Sequence, residues 1–165
     1  MNNNIQRQKN SYNQGKIFNK WEVLSIKRVV PVHIQLTTTM EQDGQRDQYH
    51  FDEQGQFVEL NGKYYLRYQE HQDGTATPVQ FRLGTDQLHL RRSGIRETDF
   101  EFQLSAPTKT RYRTEYGIIG MLVTTNRLAV EFDPQDVNGS IDLEYQLTAN
   151  EQLIGTYQVQ LQFAA

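Results

Sequence analysis

The stretch FVELNGKYYLRYQEHQDGTATPVQFRL, residues 57–83, contains two hairpin turns between runs of strand-forming residues. Asn61-Gly62 and Asp73-Gly74 each supply two consecutive residues that tolerate positive φ, as a two-residue hairpin turn requires. The runs beside these turns are rich in Tyr, Val, Leu and Phe, and they are short, as strands are. The stretch therefore predicts three consecutive antiparallel strands.

The same pattern continues on both sides of this stretch. Upstream, Val30 to Thr38 alternates apolar and polar residues, as a half-buried strand does. Turn signals separate the remaining strand-like runs, and they lie at Asp43-Gly44, Gly84-Thr85-Asp86, Ser93-Gly94, Asn126, Asn138-Gly139 and Asn150. We predict an all-β domain of roughly ten short strands in up-and-down order. It forms a closed or nearly closed antiparallel barrel, because closure removes exposed edges. A sandwich is the alternative architecture.

The amino-acid composition excludes several classes of protein. The 165 residues suit one domain, and the absence of cysteine excludes disulfides and thiolate metal sites. No apolar run reaches the roughly 20 residues that a membrane span needs, so we expect no membrane partner. Because no apolar signal core follows the basic N-terminus, we predict a soluble, cytoplasmic protein.

Charge divides the chain into two parts. Residues 1–28 carry six Lys and Arg against Glu22, a net +5, so the rest of this −3 chain carries −8. We predict a basic, Asn- and Gln-rich extension over residues 1–28, either solvated or touching an anionic surface, and a barrel domain over residues 29–165. Trp21 is a candidate plug for one barrel end. Nucleic acid is an unexpected partner for so acidic a domain.

Alternation also assigns side chains to the barrel interior. Leu66, Leu88 and Leu90 mark inward faces, and the polar residues that share such faces are the candidate ligand-binding set: Tyr68, Glu70, Arg92, Tyr112, Tyr116 and Tyr145. A buried charge needs a partner, so we expect Glu70 to pair with Arg92 and tyrosine hydroxyls to satisfy the remaining oxygens. Two interpretations stay open. The set is either a polar floor that orients a ligand or a network that fixes strand register.

Catalytic and metal motifs are absent from the sequence. It has no nucleophile elbow and no phosphate-binding loop. His33, His50 and His89 fall on outward faces, so no metal or cofactor is predicted. Glu70 has no evident second carboxylate on an inner face, which makes an enzyme the least favoured hypothesis.

We therefore expect a non-enzymatic protein that binds a small amphipathic or anionic ligand in the barrel mouth. The alternative is a protein–protein interaction module that acts through the barrel surface or a strand edge. Either a monomer or a homodimer is compatible with the sequence.

Four short motifs occur in an order that resembles a known family. They are YLRYQE at residues 65–70, LHLRRSG at 88–94, YRTEYG at 112–117 and IDLEY at 141–145. The chain resembles the YwiB family of uncharacterised bacterial proteins over roughly Val30 to Phe163, the whole predicted domain. This resemblance implies a calycin-like, lipocalin-type barrel and no established activity, so it assigns no catalytic residues. The basic segment before Val29 is longer than the family pattern requires.

Overall fold

The computed structural model describes residues 26–94 and 97–165, and in these residues it contains β-strands and no helix. The predicted basic extension and Trp21 lie outside the described residues, apart from the last three residues of the extension, which belong to the first strand. No helix long and apolar enough to cross a membrane occurs in the described ranges. The ten strands are β1 (Ile26–Gln42), β2 (Gln45–Leu60), β3 (Lys63–Gln72), β4 (Thr75–Leu83), β5 (Leu88–Arg92), β6 (Thr98–Phe102), β7 (Thr108–Thr114), β8 (Gly117–Asp133), β9 (Asn138–Ala149) and β10 (Gln152–Ala164).

All ten strands belong to one antiparallel sheet with the order β6-β5-β4-β3-β2-β1-β10-β9-β8-β7. Each strand pairs with the next strand in the chain, except that β6 and β7 do not pair in the described residues, and β1 also pairs with β10. The predicted up-and-down barrel is therefore confirmed. Not all strands are short, since β1 and β8 each have 17 residues.

The barrel has one seam, between β6 and β7. No backbone ladder joins these two strands in the described part of the chain. Instead, the Thr108 hydroxyl donates a hydrogen bond to the Glu101 carbonyl, and the Thr110 hydroxyl donates one to the Asp99 carbonyl, each at 2.6 Å. Side chains thus take the place of the missing ladder, and the barrel is nearly closed.

Three predicted hairpin turns have the expected backbone conformation. Asp43, Asn61 and Asp73 have φ of 50°, 52° and 50°, and each is followed by a glycine with φ between 72° and 75°. These are the left-handed conformations that Asn, Asp and Gly tolerate best.

Two other predicted turns are wrong. Asn126 lies inside β8, where the register with β9 shifts between Thr125 and Arg127 as a β-bulge. Asn138-Gly139 begins β9. Gly139 is needed for packing there, because an added Cβ would lie 2.6 Å from the Phe132 Cβ and 2.7 Å from the Phe163 ring.

The up-and-down topology gives the barrel two different ends. The aromatic end, where β2 turns into β3 and β8 into β9, is filled by a ring cluster. Phe57 stacks on Phe163 at 5.9 Å between centroids and on Tyr64 at 5.5 Å. Tyr64 also meets Phe132 edge-on at 5.3 Å, and the Arg28 guanidinium lies over Phe57. The polar end lies opposite, where β1 turns into β2, β3 into β4, β7 into β8 and β9 into β10.

Candidate functional site

An ion pair occupies the interior at the polar end. Tyr68 on β3, Val79 on β4 and Arg92 on β5 are cross-strand neighbours in one row. Glu70 follows Tyr68 on the same face, and its Oε2 pairs with Nη2 of Arg92. The Tyr68 hydroxyl donates a hydrogen bond of 3.2 Å to Oε1 of Glu70. The predicted Glu70–Arg92 pair and its tyrosine partner are therefore confirmed.

The two charges of this pair differ in burial. The Glu70 side chain is 6% exposed, whereas the Arg92 side chain is 38% exposed. Among the described residues, Arg92 forms an ion pair with Glu70 alone. A guanidinium has five N–H donors, and this pair uses only part of them. The pair therefore leaves some of the N–H donors of Arg92 unused.

Tyr145 has a buried side chain close to this pair. Its ring stacks on Tyr157 at 4.9 Å and lies 4.7 Å from Phe102. Within residues 26–94 and 97–165 the hydroxyl has no hydrogen-bond partner, and it is not fully closed off from solvent. Burial raises the pKa of Tyr145, Tyr157 adds to the rise, and the nearby Arg92 opposes it. The group is therefore a neutral donor without a protein partner in the described part of the chain.

Of the two neighbouring tyrosines, Tyr157 has a hydrogen-bond partner and Tyr112 is half-buried. Nε2 of Gln42 donates a 2.6 Å hydrogen bond to the Tyr157 hydroxyl. Burial raises the pKa of Tyr157, this hydrogen bond lowers it, and the nearby Tyr112 raises it. Tyr112 is half-buried on the inner face of β7. Together with Tyr145, these rings form an aromatic wall beside the Glu70–Arg92 pair.

Tyr116 does not join this group. It lies in the turn between β7 and β8 and is 93% exposed. The prediction that it faces the interior is wrong, because strand alternation stops where β7 ends at Thr114. The structure thus brings five of the six candidate residues to the interior at the polar end, and their role in binding stays a prediction.

Glu53 is a second carboxylate at this end that the sequence analysis missed. It is opposite Ile34, a core residue, so it starts from the inner face of β2. Its side chain is 12% exposed, and its oxygens accept hydrogen bonds from the His71 backbone N–H at 2.8 Å and from Nδ1 of His71 at 2.9 Å. Burial raises the pKa of Tyr68, Arg92 opposes the rise and Glu53 adds to it. The expectation that no second inner-face carboxylate exists is therefore wrong.

Three of the four histidines form isolated pairs on the outer wall. His33 bonds to Asp52, and this hydrogen bond lowers the pKa of the Asp52 carboxyl. His50 bonds to Thr37 at 3.0 Å, and His89 pairs with Asp99. Their predicted outward orientation is confirmed. Within residues 26–94 and 97–165, no group of three or more His, Asp or Glu side chains is arranged to hold a metal ion.

Comparison with known proteins agrees with the barrel. A family model described as "Domain of unknown function (DUF1934)" matches residues 34–161. The chain is 20% identical over 127 residues to the "Uncharacterized beta-barrel protein YwiB" of Bacillus subtilis (strain 168), covering 77% of this chain and 88% of that protein. A crystal structure of ywiB protein from Bacillus subtilis superposes with a TM-score of 0.71 and 18% identity, covering 85% of this chain and 94% of that one. At this identity the structural likeness concerns the fold alone.

Proposed function

The chain belongs to the DUF1934 family, and from the arrangement at the polar end of its barrel we propose that it binds a small amphipathic or anionic molecule in the barrel mouth. The observation that supports this proposal is Arg92. Its guanidinium is partly exposed at the barrel mouth, while its counter-ion Glu70 is buried. Partial exposure lowers the cost of removing the cation from water, and it also leaves the guanidinium accessible to a ligand.

The groups around Arg92 suit a ligand with a polar head and an apolar body. The head would accept hydrogen bonds from the guanidinium and from the Tyr145 hydroxyl, which has no partner among the described residues. The body would lie against the rings of Tyr112 and Tyr157. Because Glu70 already balances the charge of Arg92, the site does not require a full negative charge on the head.

Titration with anilinonaphthalene sulfonate, a fluorescent amphipathic anion, tests this proposal. We expect saturable binding to the folded protein and a loss of affinity of about tenfold in Arg92→Gln and in Tyr145→Phe. Arg91 is the matched control, because it is adjacent on β5 and exposed on the outer face. Equal binding by Arg92→Gln and Arg91→Gln would place the probe elsewhere and overturn the proposal.

A further inference from the structure

The hairpin of β7 and β8 extends beyond its neighbours. We call residues 109–122 the ribbon. β8 pairs with β9 only from Leu122 onward, opposite Thr148. Within residues 26–94 and 97–165, the part of the ribbon before Leu122 therefore has backbone pairing only within itself. The β9–β10 turn lies two residues past Thr148, whereas the ribbon turns at residues 115 and 116. At a rise of roughly 3.4 Å per residue, the tip therefore projects about 14 Å past that turn.

The tip of the ribbon is apolar on both of its faces. Tyr116 is 93% exposed, and Ile118 and Ile119 are 59% and 45% exposed. Because successive strand residues point to opposite faces, the two isoleucines cover both sides of the tip. Single exposed apolar residues are common on protein surfaces, but a projecting cluster indicates a contact with another surface.

Three cations lie behind this tip on the outer face of β7. Lys109, Arg111 and Arg113 are all exposed, and none forms an ion pair with a residue of the described chain. Glu115 in the turn is the one acid of the ribbon, so its net charge is three minus one, or +2. The ribbon is thus a basic element on a chain whose net charge is −3.

We propose that the ribbon docks the protein on an anionic lipid bilayer. Tyr116, Ile118 and Ile119 enter the boundary between headgroups and acyl chains, where aromatic and aliphatic side chains are both favoured. The cations behind them contact the lipid phosphates. This departs from the sequence expectation of no membrane partner, which rested only on the absence of a spanning segment.

Other macromolecules fit the ribbon less well. Single-stranded nucleic acid binds through rings on which successive bases stack, and two of the three tip residues are isoleucines. A protein partner usually meets a flat patch with a packed apolar centre, whereas this tip projects and is exposed on both faces. Tyr112 lies on the inner face of the ribbon beside the barrel mouth, so docking brings the mouth to the bilayer. The inference nevertheless stands without any ligand in the mouth.

Vesicle co-sedimentation of the full chain tests the inference. We expect the protein to pellet with vesicles of phosphatidylglycerol and phosphatidylethanolamine but not with vesicles of phosphatidylcholine alone. The double variant Arg111→Gln/Arg113→Gln should bind about thirtyfold more weakly, because each cation near an anionic surface contributes about 1 kcal/mol, or about five- to sixfold in affinity. The double variant Ile118→Ser/Ile119→Ser should also lose binding.

Matched controls exist elsewhere on the barrel. Arg46→Gln/Arg91→Gln removes two exposed cations outside the ribbon, and Ile26→Ser/Leu104→Ser removes two exposed apolar side chains from the aromatic end. Both should bind like the wild type.

Any of three results would overturn the inference: no pelleting of the wild type, equal losses in control and ribbon variants, or binding to a polyuridine RNA that competes with the vesicles. None of these results depends on Arg92 or Tyr145. The vesicle experiment can therefore overturn bilayer docking without overturning ligand binding in the barrel mouth.

Discussion

The two ends of the barrel are built from similar side chains for different purposes. At the aromatic end, Phe57, Tyr64, Phe132 and Phe163 fill the space with ring contacts between 5.3 and 6.4 Å. At the polar end, aromatic rings surround a buried carboxylate. Packing alone explains the first end, because burying rings is favourable without further partners. Packing alone does not explain the polar end.

A buried ion pair is a weak source of stability. The cost of removing both charges from water is comparable to their attraction, and apolar side chains of the same volume would often stabilise the fold as well or better. Leu or Met at positions 70 and 92 would close the polar end in the way that phenylalanines close the other one. We therefore interpret the Glu70–Arg92 pair as a feature kept for binding, and four predictions probe this contrast.

The largest loss of stability should come from the aromatic end. Phe57 is fully buried and contacts three other rings. Phe57→Ala should lower the free energy of unfolding by about 4 kcal/mol, because it leaves a cavity among rings that cannot collapse. Urea unfolding measures this value. A loss below about 1 kcal/mol would mean that this end is not a tightly packed plug.

Breaking the ion pair should have a smaller effect. Arg92→Gln leaves the buried Glu70 carboxylate with the Tyr68 hydroxyl as its remaining partner. We expect a loss of about 2 kcal/mol, below the usual value for fully buried pairs because Arg92 is 38% exposed. Arg91→Gln should be neutral in the same urea experiment. Equal losses in the two variants would show that charge removal on β5, rather than the pair, determines the effect.

Alkaline pH should destabilise the barrel through its buried tyrosines. Burial raises the pKa of Tyr68 and of Tyr145 far above the ordinary value. Above about pH 10 the unfolded chain loses these protons while the folded chain keeps them, so stability is complete below that pH and falls as pH rises. Between pH 9 and pH 11, the free energy of unfolding of Tyr145→Phe should fall by about 1 kcal/mol less than that of the wild type. An unchanged pH profile would contradict the burial of that hydroxyl.

The smallest changes in stability should come from removing the hydroxyl of Tyr68 or of Tyr145 at neutral pH. Tyr68→Phe removes a hydrogen bond to a buried carboxylate and should cost about 1 kcal/mol. Tyr145→Phe removes a hydroxyl with no partner among the described residues. The free energy of unfolding of this variant should therefore equal that of the wild type within about 0.5 kcal/mol. Thermal unfolding of the two variants at pH 7 compares them. A larger loss for Tyr145→Phe would indicate a structural role for its hydroxyl.

Local chemistry was enough to predict much of the fold. Asp43-Gly44, Asn61-Gly62 and Asp73-Gly74 form turns because few other residue pairs tolerate the required φ. Alternation then placed Glu70 and Arg92 on one face. The same dipeptide signal was misleading at Asn138-Gly139, since a glycine also serves where two side chains leave no room for a Cβ.

The errors arise where the structure depends on contacts between distant segments. Glu53 is an exception, because alternation along β2 from Phe51 to Phe57 could have placed it on the inner face. Tyr116 continues the alternation of β7 in the sequence but falls just past the end of that strand. The Thr108 and Thr110 bonds that join the two edge strands likewise depend on where the barrel closes.

Native mass spectrometry of the purified full chain tests most directly whether the polar end is kept for a ligand. The account predicts a stoichiometric small molecule on the wild type and on Arg91→Gln, and its loss from Arg92→Gln and Tyr145→Phe. A bare wild-type mass, or a compound that Arg92→Gln retains, would contradict it. A bare dimer mass would instead favour an interaction module that acts through the barrel surface.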